Sequence, residues 1–233
     1  MASGGHTASA LGRPRLHLRA TTSTNDRARA LAQGGAPHGT LVTAGEQHAG
    51  RGRHGRTWSA PPGRALLLSL VLRDPPALLP LAAGLAVAEV AGPAAAIKWP
   101  NDVLLDGGKV AGILAEGRAD EGWAVLGIGV NVALRVDELP PELHATAGTL
   151  GLGPADLEPT LERLVVALER ALALDTAALL EAYRARDALR GHEVSWSGGR
   201  GKAAGIDGAG RLVVELGDGG RTALSAGEVH LLR

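Results

Sequence analysis

The segment that most restricts the fold is residues 65–72, a nearly continuous apolar run in which Ser69 is the one polar residue. A strand with one face in water alternates apolar and polar side chains, whereas a continuous apolar run is typical of a strand covered on both faces. The segment therefore predicts a central strand in a covered sheet. The core around it must be aliphatic, because the chain has no Phe and one Tyr.

Apolar periodicity and turn residues predict the other elements. Helices are expected from the Ser23 cap to Gly34 and over residues 78–90, 157–174 and 176–187. Strands are expected over residues 40–44, 97–99, 103–105, 109–116 and 123–132. This order predicts an α+β fold in which helices flank a mixed β-sheet.

The chain divides into three predicted regions. Residues 1–15 are expected to form a flexible tail, and residues 16–187 the domain of sheet and helices. After Gly191, short apolar segments alternate with Gly and Asp turns up to residue 224, a pattern typical of short strands. Residues 188–233 are therefore predicted to form a small β-barrel.

Composition excludes several classes of function. The 24 basic and 24 acidic residues balance, so the whole molecule has no field that would attract nucleic acid or an acidic membrane. The absence of cysteine excludes disulfides, thiolate metal sites and a cysteine nucleophile. No apolar segment is long enough to predict a membrane span, and the first ten residues lack the apolar stretch of a signal peptide. These features favour a cytoplasmic enzyme or binding protein.

Residues 50–58, with the sequence GRGRHGRTW, suit an anionic ligand. Glycines let backbone N–H groups approach a ligand closely, and arginines present forked donors to carboxylate and phosphate oxygens. A flexible basic loop or a nucleic-acid tail is the alternative. The run occurs once, between two predicted strands and after Gln47. This position favours a loop that belongs to a globular core, and not a nucleic-acid tail.

Two further segments place polar groups at strand ends. Residues 98–102, with the sequence KWPND, combine a lysine, an amide and a carboxylate where proline interrupts strand pairing; a plain surface turn is the alternative. Lys109 begins an otherwise apolar strand, where a buried ammonium requires an anionic partner. That partner is expected to be Asp102 or a bound phosphate.

Five segments together resemble the biotin protein ligase family in their order and spacing. They are Ser23-Thr24-Asn25, Gln47 with Gly50-Arg51-Gly52-Arg53, Lys98-Trp99-Pro100-Asn101-Asp102-Val103, Gly108-Lys109-Val110-Ala111-Gly112-Ile113-Leu114 and Gly127-Ile128-Gly129-Val130-Asn131. The resemblance covers residues 20–233. It implies a catalytic domain like those of class II aminoacyl-tRNA synthetases and biotin ligases over residues 16–187, and an SH3-like barrel over residues 188–233. The DNA-binding helix-turn-helix of repressor-type members has no room here, so a ligase-only form without DNA binding is expected.

The resemblance also implies an activity. Members join biotin to ATP, which gives biotinyl-5′-AMP and pyrophosphate, and then transfer biotin to one lysine of a biotin carboxyl carrier protein or domain of a biotin-dependent carboxylase, such as acetyl-CoA carboxylase. ATP and the Mg²⁺ that accompanies it are the expected cofactors, and biotin is the substrate. A homodimer is one candidate oligomeric state.

Site residues follow from the same resemblance. The catalytic set is Lys109, Arg51, Arg53 and Asp102. The set that binds biotin or the adenylate is Ser23, Thr24, Asn25, Gln47, Gly50, Arg51, Gly52, Arg53, Lys109, Gly112 and Gly127, and the set on the ATP side is Arg56, Trp58, Asn101 and Asn131. Asp102 has two open roles, orienting Lys109 or helping the acceptor lysine lose its proton. Trp58 is either an apolar wall of the lid or plain core.

Two alternative functions are also considered, and no metal site is predicted. A lipoate or octanoate ligase or transferase shares this fold, but the transferases use a cysteine and the ligases have a different glycine loop. A non-catalytic nucleic-acid-binding module is disfavoured because aromatic stacking residues are almost absent. No dedicated metal site is expected, and His48 and His54 are predicted to be solvated loop residues.

Overall fold

A computed structural model of the protein describes residues 11–118 and 121–232. Its main sheet contains β1 (Arg15–Leu18), β2 (Leu41–Ala44), β3 (Ala65–Arg73), β4 (Ala96–Lys98), β5 (Asp102–Leu105), β6 (Gly108–Arg118) and β7 (Trp123–Asn131). The strand order is β1-β2-β3-β7-β6-β5-β4. β1 and β2 are parallel and all other neighbours are antiparallel. The predicted mixed sheet is therefore confirmed.

The apolar run forms the inner strand that its composition predicts. β3 lies between β2 and β7, and both faces of the strand are covered. Leu68 and Leu70 belong to the main core, while Val71 belongs to a smaller cluster on the opposite face. Neither face of such a strand contacts water, so apolar side chains are favoured at every position, which explains the continuous apolar sequence.

Four helices cover the two faces of this sheet: α1 (Thr24–Gln33), α2 (Leu79–Ala91), α3 (Leu157–Leu172) and α4 (Thr176–Arg184). α1 lies on the small cluster, against β3 and β7. α2 packs on β5 and β6 and is covered in turn by α3, which contributes the buried Leu161, Leu164 and Leu168 from its apolar stripe. All four predicted helices are confirmed, with α3 and α4 ending earlier than their apolar patterns suggest.

A second sheet follows the helices. It contains β8 (Glu193–Trp196), β9 (Gly199–Ile206), β10 (Leu212–Glu215), β11 (Arg221–Leu224) and β12 (His230–Leu231), in the order β11-β10-β9-β8-β12 with every pair antiparallel. Among residues 121–232 the outer strands β11 and β12 do not pair with each other, so the sheet is open. The prediction of short strands is correct, but the closed barrel is not seen, because β12 is only 2 residues long and pairs with β8 alone.

The two sheets contact each other near the KWPND segment. The indole Nε1 of Trp99 donates to the carbonyl oxygen of Gly210 at 3.0 Å. The chain passes between the sheets at Asp187, which bridges to Ile97 of β4. The second sheet is thus held against the strand that leads into the KWPND turn. The boundary at residue 187 stays a prediction.

The predicted tail needs one correction. Residues 1–10 lie outside the described part of the chain. From residue 11 onward the prediction of a flexible tail is wrong, because Leu11 is buried in the main core and Arg15 begins β1. The sequence pattern missed β1 because it is a short edge strand with largely exposed side chains. Within the described ranges, no helix is both long and apolar enough to cross a membrane.

Candidate active site

One cavity gathers most of the predicted site residues. It lies over β6 and β7 and is bounded by the start of α1, the arginine loop (residues 51–58), the KWPND turn and residues 227–229. The predicted residues that line it are Ser23, Thr24, Asn25, Gln47, Arg51, Gly52, Arg53, Arg56, Trp58, Asn101, Asp102, Lys109, Gly112 and Gly127. Gly50 and Asn131 are the predicted residues that do not line it.

The floor of the cavity is built from glycines on paired strands. Gly112 of β6 lies opposite Gly129 of β7, and the indole ring of Trp58 rests on both. A Cβ atom on Gly129 would lie 2.5 Å from Trp58 Cε2, and one on Gly112 would lie 2.9 Å from Trp58 Cζ3. Trp58 is partly buried and lines the cavity, so its side chain is a wall of the site. Gly129 is a floor residue that the predicted set omitted.

One end of the cavity is polar and uncharged. The backbone N and the hydroxyl of Thr24 donate to Gln47 Oε1 at 2.7 and 3.0 Å. The Ser69 hydroxyl lies 2.6 Å from Asn25 Oδ1 and 2.8 Å from Thr24 Oγ1. Gly127 is required beneath this network, because a Cβ atom there would lie 2.1 Å from Asn25 Oδ1. These buried groups form a fixed set of donors and acceptors.

Ser69 was missed as a member of this network. Its signal was present in the sequence as the single hydroxyl in the apolar run of β3. A fully buried polar group needs a hydrogen-bond partner, and Ser69 finds two at the start of α1. In the sequence, Ser69 appeared only to interrupt the apolar run, because the sequence does not reveal that α1 packs over β3 and supplies its partners.

The other end of the cavity is cationic. The Lys109 Nζ lies 2.7 Å from Asp102 Oδ1, which confirms one of the two partners predicted for it, and 5.7 Å from the ring centroid of Trp58. A shift in the pairing of β5 and β6 between Val103 and Leu104 brings Lys109 to the face that carries Gly112. Val110 consequently points into the main core. The irregularity is what aims the ammonium into the cavity.

Two more cations share this end. Arg53 donates to Asn101 Oδ1 at 3.1 Å, and burial lowers the pKa of its guanidinium, opposed by the charge of Asp102. Burial also lowers the pKa of Lys98; the Asp102 carboxylate opposes this shift, and Lys109 reinforces it. Among the described residues, Lys98 has no carboxylate within ion-pair distance. A partly buried cation without a partner is the signal of an anion site that the predicted set lacked.

The arginine loop is folded on itself. Arg51 and Thr57 form a bridge, and a short 3₁₀ turn at Arg53–Gly55 places His54 and Gly55 in the left-handed region at φ 54° and 74°. Gly50 lies at the base of the loop, where a Cβ atom would be 2.3 Å from the Trp58 carbonyl oxygen. The base of the loop is therefore a close backbone crossing that only glycine permits.

The side chains of the loop reach different partners. Arg51 donates to Asp26 at 2.5 Å and to Glu116 at 2.7 Å, while Arg56 forms an ion pair with Glu228. Arg51 and Arg53 thus diverge, one toward the uncharged end and one toward the cationic end. Glu116 and Glu228 are partners that the sequence did not indicate, because they are distant along the chain.

Asn131 lies behind the wall of the cavity. Its Nδ2 donates to the carbonyl oxygens of Gly148 at 2.9 Å and Lys109 at 3.4 Å. It fastens the segment around Gly148 to the beginning of β6, so its contacts support Lys109 from outside. His48 and His54 are exposed, as predicted. Within residues 11–118 and 121–232, no group of three or more His, Asp or Glu side chains could hold a metal ion.

Comparison with known proteins defines the class first. The model of the Biotin/lipoate A/B protein ligase family matches residues 18–132, which include the cavity floor and both of its ends. The model of the biotin protein ligase C terminal domain matches residues 197–232, most of the second sheet. These matches place the chain in the class of biotin and lipoate ligases.

Individual relatives narrow the class. The chain is 40% identical to a biotin--[acetyl-CoA-carboxylase] ligase of Mycobacterium tuberculosis, over 91% of this chain and 87% of the relative. It is 41% identical to the enzyme of that name from Paracoccus denitrificans, over 91% of this chain and 98% of the relative. A biotin protein ligase from Aquifex aeolicus, solved in complex with biotin and ATP, has a TM-score of 0.81 and 28% identity, over 95% of this chain and 99% of that chain. The chain belongs to the biotin protein ligase family, as the five sequence segments indicated.

Proposed function

We propose that this protein is an ATP-dependent biotin protein ligase. It activates biotin to biotinyl-5′-AMP with release of pyrophosphate, and transfers the biotinyl group to a lysine of a biotin carboxyl carrier protein or domain. The observation that carries the proposal is a single cavity with an uncharged hydrogen-bonding end and a cationic end above a glycine floor. The relatives from Mycobacterium tuberculosis and Paracoccus denitrificans, whose names describe this activity, support it.

In the first step a biotin carboxylate oxygen attacks the α-phosphorus of ATP. The bond from that phosphorus to the bridging oxygen breaks, and pyrophosphate leaves with the bonding electrons. Two anions approach each other, so positive charge must neutralise the oxygens around the phosphorus. Lys109 and Arg53 supply that charge, and Lys98, a partly buried cation whose pKa burial lowers, adds a third positive group.

Binding of the remaining groups follows the two ends of the cavity. The uncharged end, with Ser23, Thr24, Asn25 and Gln47, suits the ureido group of biotin because it offers both donors and acceptors. Gly112 leaves room for Trp58 and Gly127 leaves room for Asn25, so both keep the floor open to the ligand. Gly50 lies at the base of the arginine loop, and Arg51 and Gly52 belong to the part of it that folds over the adenylate. Arg56, Trp58 and Asn101 face the nucleotide, and Asn131 acts on that side through the backbone of Lys109.

In the second step the amine of the acceptor lysine attacks the acyl carbon, and AMP leaves. The amine must lose a proton, and Asp102 is a carboxylate in the cavity that can accept it or hold Lys109 in place. An acyl-adenylate is destroyed by water, so the loop is expected to close over it and exclude solvent. Mg²⁺, arriving with ATP, supplies further neutralisation of phosphate charge.

The setting of the enzyme belongs to the same proposal. Its partner is the carrier of a biotin-dependent carboxylase, it works in the cytoplasm, and a homodimer is a candidate assembly. The second sheet is proposed to be an SH3-like module that closes the nucleotide end of the cavity. Its segment 227–229 lines that end, and Glu228 pairs with Arg56 of the loop.

The decisive experiment is transfer of labelled biotin. The protein is incubated with labelled biotin, ATP, Mg²⁺ and a biotin carrier domain, and label on the carrier is measured. A parallel reaction contains lipoate and a lipoyl carrier domain. Label on the biotin carrier alone is the expected result, whereas transfer of lipoate in place of biotin would assign the protein to the rival ligase.

A further inference from the structure

Glu116 holds three donors from two parts of the site. Its Oε2 accepts from Asn25 Nδ2 at 2.8 Å, and its Oε1 accepts from Arg51 Nη2 at 2.7 Å and from Arg29 Nη2 at 2.9 Å. It lies on β6 four residues after Gly112, and side chains two and four residues apart share one face of a strand. The carboxylate therefore stands on the cavity face, at the rim, with 22% of its side chain exposed.

These contacts join the uncharged end of the cavity to the arginine loop. The Ser69 hydroxyl lies 2.6 Å from Asn25 Oδ1, Asn25 Nδ2 donates to Glu116, and Glu116 accepts from Arg51. An ionised carboxylate only accepts hydrogen bonds, so Glu116 turns the NH₂ group of Asn25 toward itself. The amide oxygen is thereby left on the side of Ser69 and Gly127.

Asp26 offers a matched comparison. It also accepts from Arg51, at 2.5 Å, and it lies near Arg29, but no contact joins its carboxylate to Asn25. Two carboxylates thus face the two guanidinium groups of Arg29 and Arg51, and only Glu116 extends the chain of hydrogen bonds to the cavity floor. The loop anchor and the connection to the uncharged end can therefore be separated by mutation.

We infer that Glu116 is a positioning residue that couples biotin binding to the order of the arginine loop. The inference rests on the proposed function. A ligand that hydrogen-bonds to the uncharged end fixes the orientation of the Asn25 side chain. The hydrogen bond from Asn25 then keeps Glu116 in place, which strengthens the ion pair between Glu116 and Arg51. A loop that is already ordered in turn fixes the amide of Asn25 for the ligand, because coupling between two sites is reciprocal.

The test compares Glu116→Gln with Asp26→Asn by two measurements. Calorimetry gives the Kd for biotin without ATP, and trypsin gives the rate of cleavage after Arg51, Arg53 and Arg56 with and without biotin. Cleavage after Arg170, on the exposed side of α3, is the internal reference for general loosening of the fold. In the wild type, we expect biotin to slow cleavage of the loop relative to this reference.

Glu116→Gln is expected to raise the Kd for biotin about tenfold and to remove most of the protection of the loop by biotin. Asp26→Asn should increase loop cleavage in the free protein about twofold to threefold, yet leave the Kd within twofold and retain the protection. If Glu116→Gln fails to fold, Ser69→Ala applies the same test from the other side of Asn25 and should also weaken the protection.

Unchanged biotin affinity and unchanged protection in Glu116→Gln would overturn the coupling. Equal effects of Glu116→Gln and Asp26→Asn on both measurements would overturn it too, because the contact with Asn25 would then be irrelevant. Failure of the wild type to bind biotin at all would instead remove the proposed function, and the coupling with it. The two failures are thus distinguishable.

Discussion

Lys109 and Asp102 form an ion pair across two neighbouring strands, with 2.7 Å between Nζ and Oδ1. The pair exists because the pairing of β5 and β6 shifts by one residue, so that Lys109 lies opposite Leu104 while Gly112 lies opposite Asp102. Without the shift, regular alternation would place Lys109 on the core face. The ammonium is thus held at the cationic end by a carboxylate, and it can also contact a phosphate.

Removal of the Lys109 charge should nearly abolish the first step. Lys109→Ala is expected to lower the rate of adenylate formation by about 10²-fold to 10³-fold, the usual effect of losing one donor to a developing negative charge. Pyrophosphate release with biotin and ATP measures it. Arg170→Ala is the control, since Arg170 pairs with Glu89 on the exposed surface of the helices, and its activity should be normal. A near-normal rate in Lys109→Ala would remove Lys109 from the reaction.

Lys98 makes ATP binding sensitive to alkaline pH. Burial is the main cause that lowers its pKa below the ordinary 10.5, so in the free protein its charge is lost at a lower pH than that of an exposed lysine. A bound phosphate favours the charged form, and ATP affinity should therefore fall as pH rises through this lowered pKa. Lys98→Met is expected to weaken ATP binding about tenfold at neutral pH and to flatten this part of the profile. ATP titrations between pH 7 and about 10 would contradict the role if both proteins gave parallel profiles.

Local patterns determined most of the fold, and long-range contacts determined the rest. The apolar run of β3 and the stripe of α3 were predictable because each element carries its own periodicity. The cationic end was predictable for Lys109 and Asp102, which lie seven residues apart in a recognisable pattern. Glu116 and Glu228 were not, because a charged residue at the end of a strand or in a surface loop gives no local sign of a partner far along the chain.

Trp58 should be sensitive to the glycines beneath it. Gly129→Ala places a Cβ atom 2.5 Å from Trp58 Cε2, so the indole must move and the wall of the cavity with it. We expect biotin affinity to fall at least tenfold, because Trp58 walls the cavity that both ends share, and its displacement opens that cavity to water. Gly117→Ala on β6 is the matched control, since a Cβ atom there would lie 3.3 Å from the Trp123 carbonyl oxygen and 3.4 Å from the Ala124 Cβ, and the variant should bind biotin within about twofold of the wild type. Comparable affinities in titrations of the two variants would show that Trp58 adapts.

The buried carboxylate of Asp187, at the junction between the two sheets, is unfavourable for the native state when it is ionised. Burial raises the pKa of Asp187, although hydrogen bonds from the backbone N–H groups of Leu189 and Arg190 oppose this shift. Burial also raises the pKa of Tyr183 well above its ordinary value, and the nearby charge of Asp187 raises it in the same direction. Neither Asp187 Oδ2 nor the Tyr183 hydroxyl has a hydrogen-bond partner among the described residues. The native protein therefore holds the Asp187 proton to a higher pH than the unfolded chain does, so this group's contribution to stability is fully present below pH 3.8 and is lost as pH rises through the folded pKa.

Asp187→Asn should accordingly stabilise the protein at neutral pH. The amide retains an oxygen for the N–H of Leu189, which Asp187 Oδ1 accepts at 2.9 Å, and replaces the unpartnered oxygen with a donor. Removal of the buried negative charge is expected to stabilise the native state by about 1 kcal/mol, which corresponds to a rise in Tm of about 2–4 °C for a chain of this size. Thermal unfolding at pH 7 and at about pH 4 should show the gain shrink, because Asp187 becomes protonated in the native state as the pH falls through its raised pKa. The control is Glu181→Gln, an exposed change on α4, which should leave the Tm unchanged at both pH values. If Asp187→Asn raises the Tm equally at both pH values, or lowers it at pH 7, the Asp187 carboxylate is not the destabilising group.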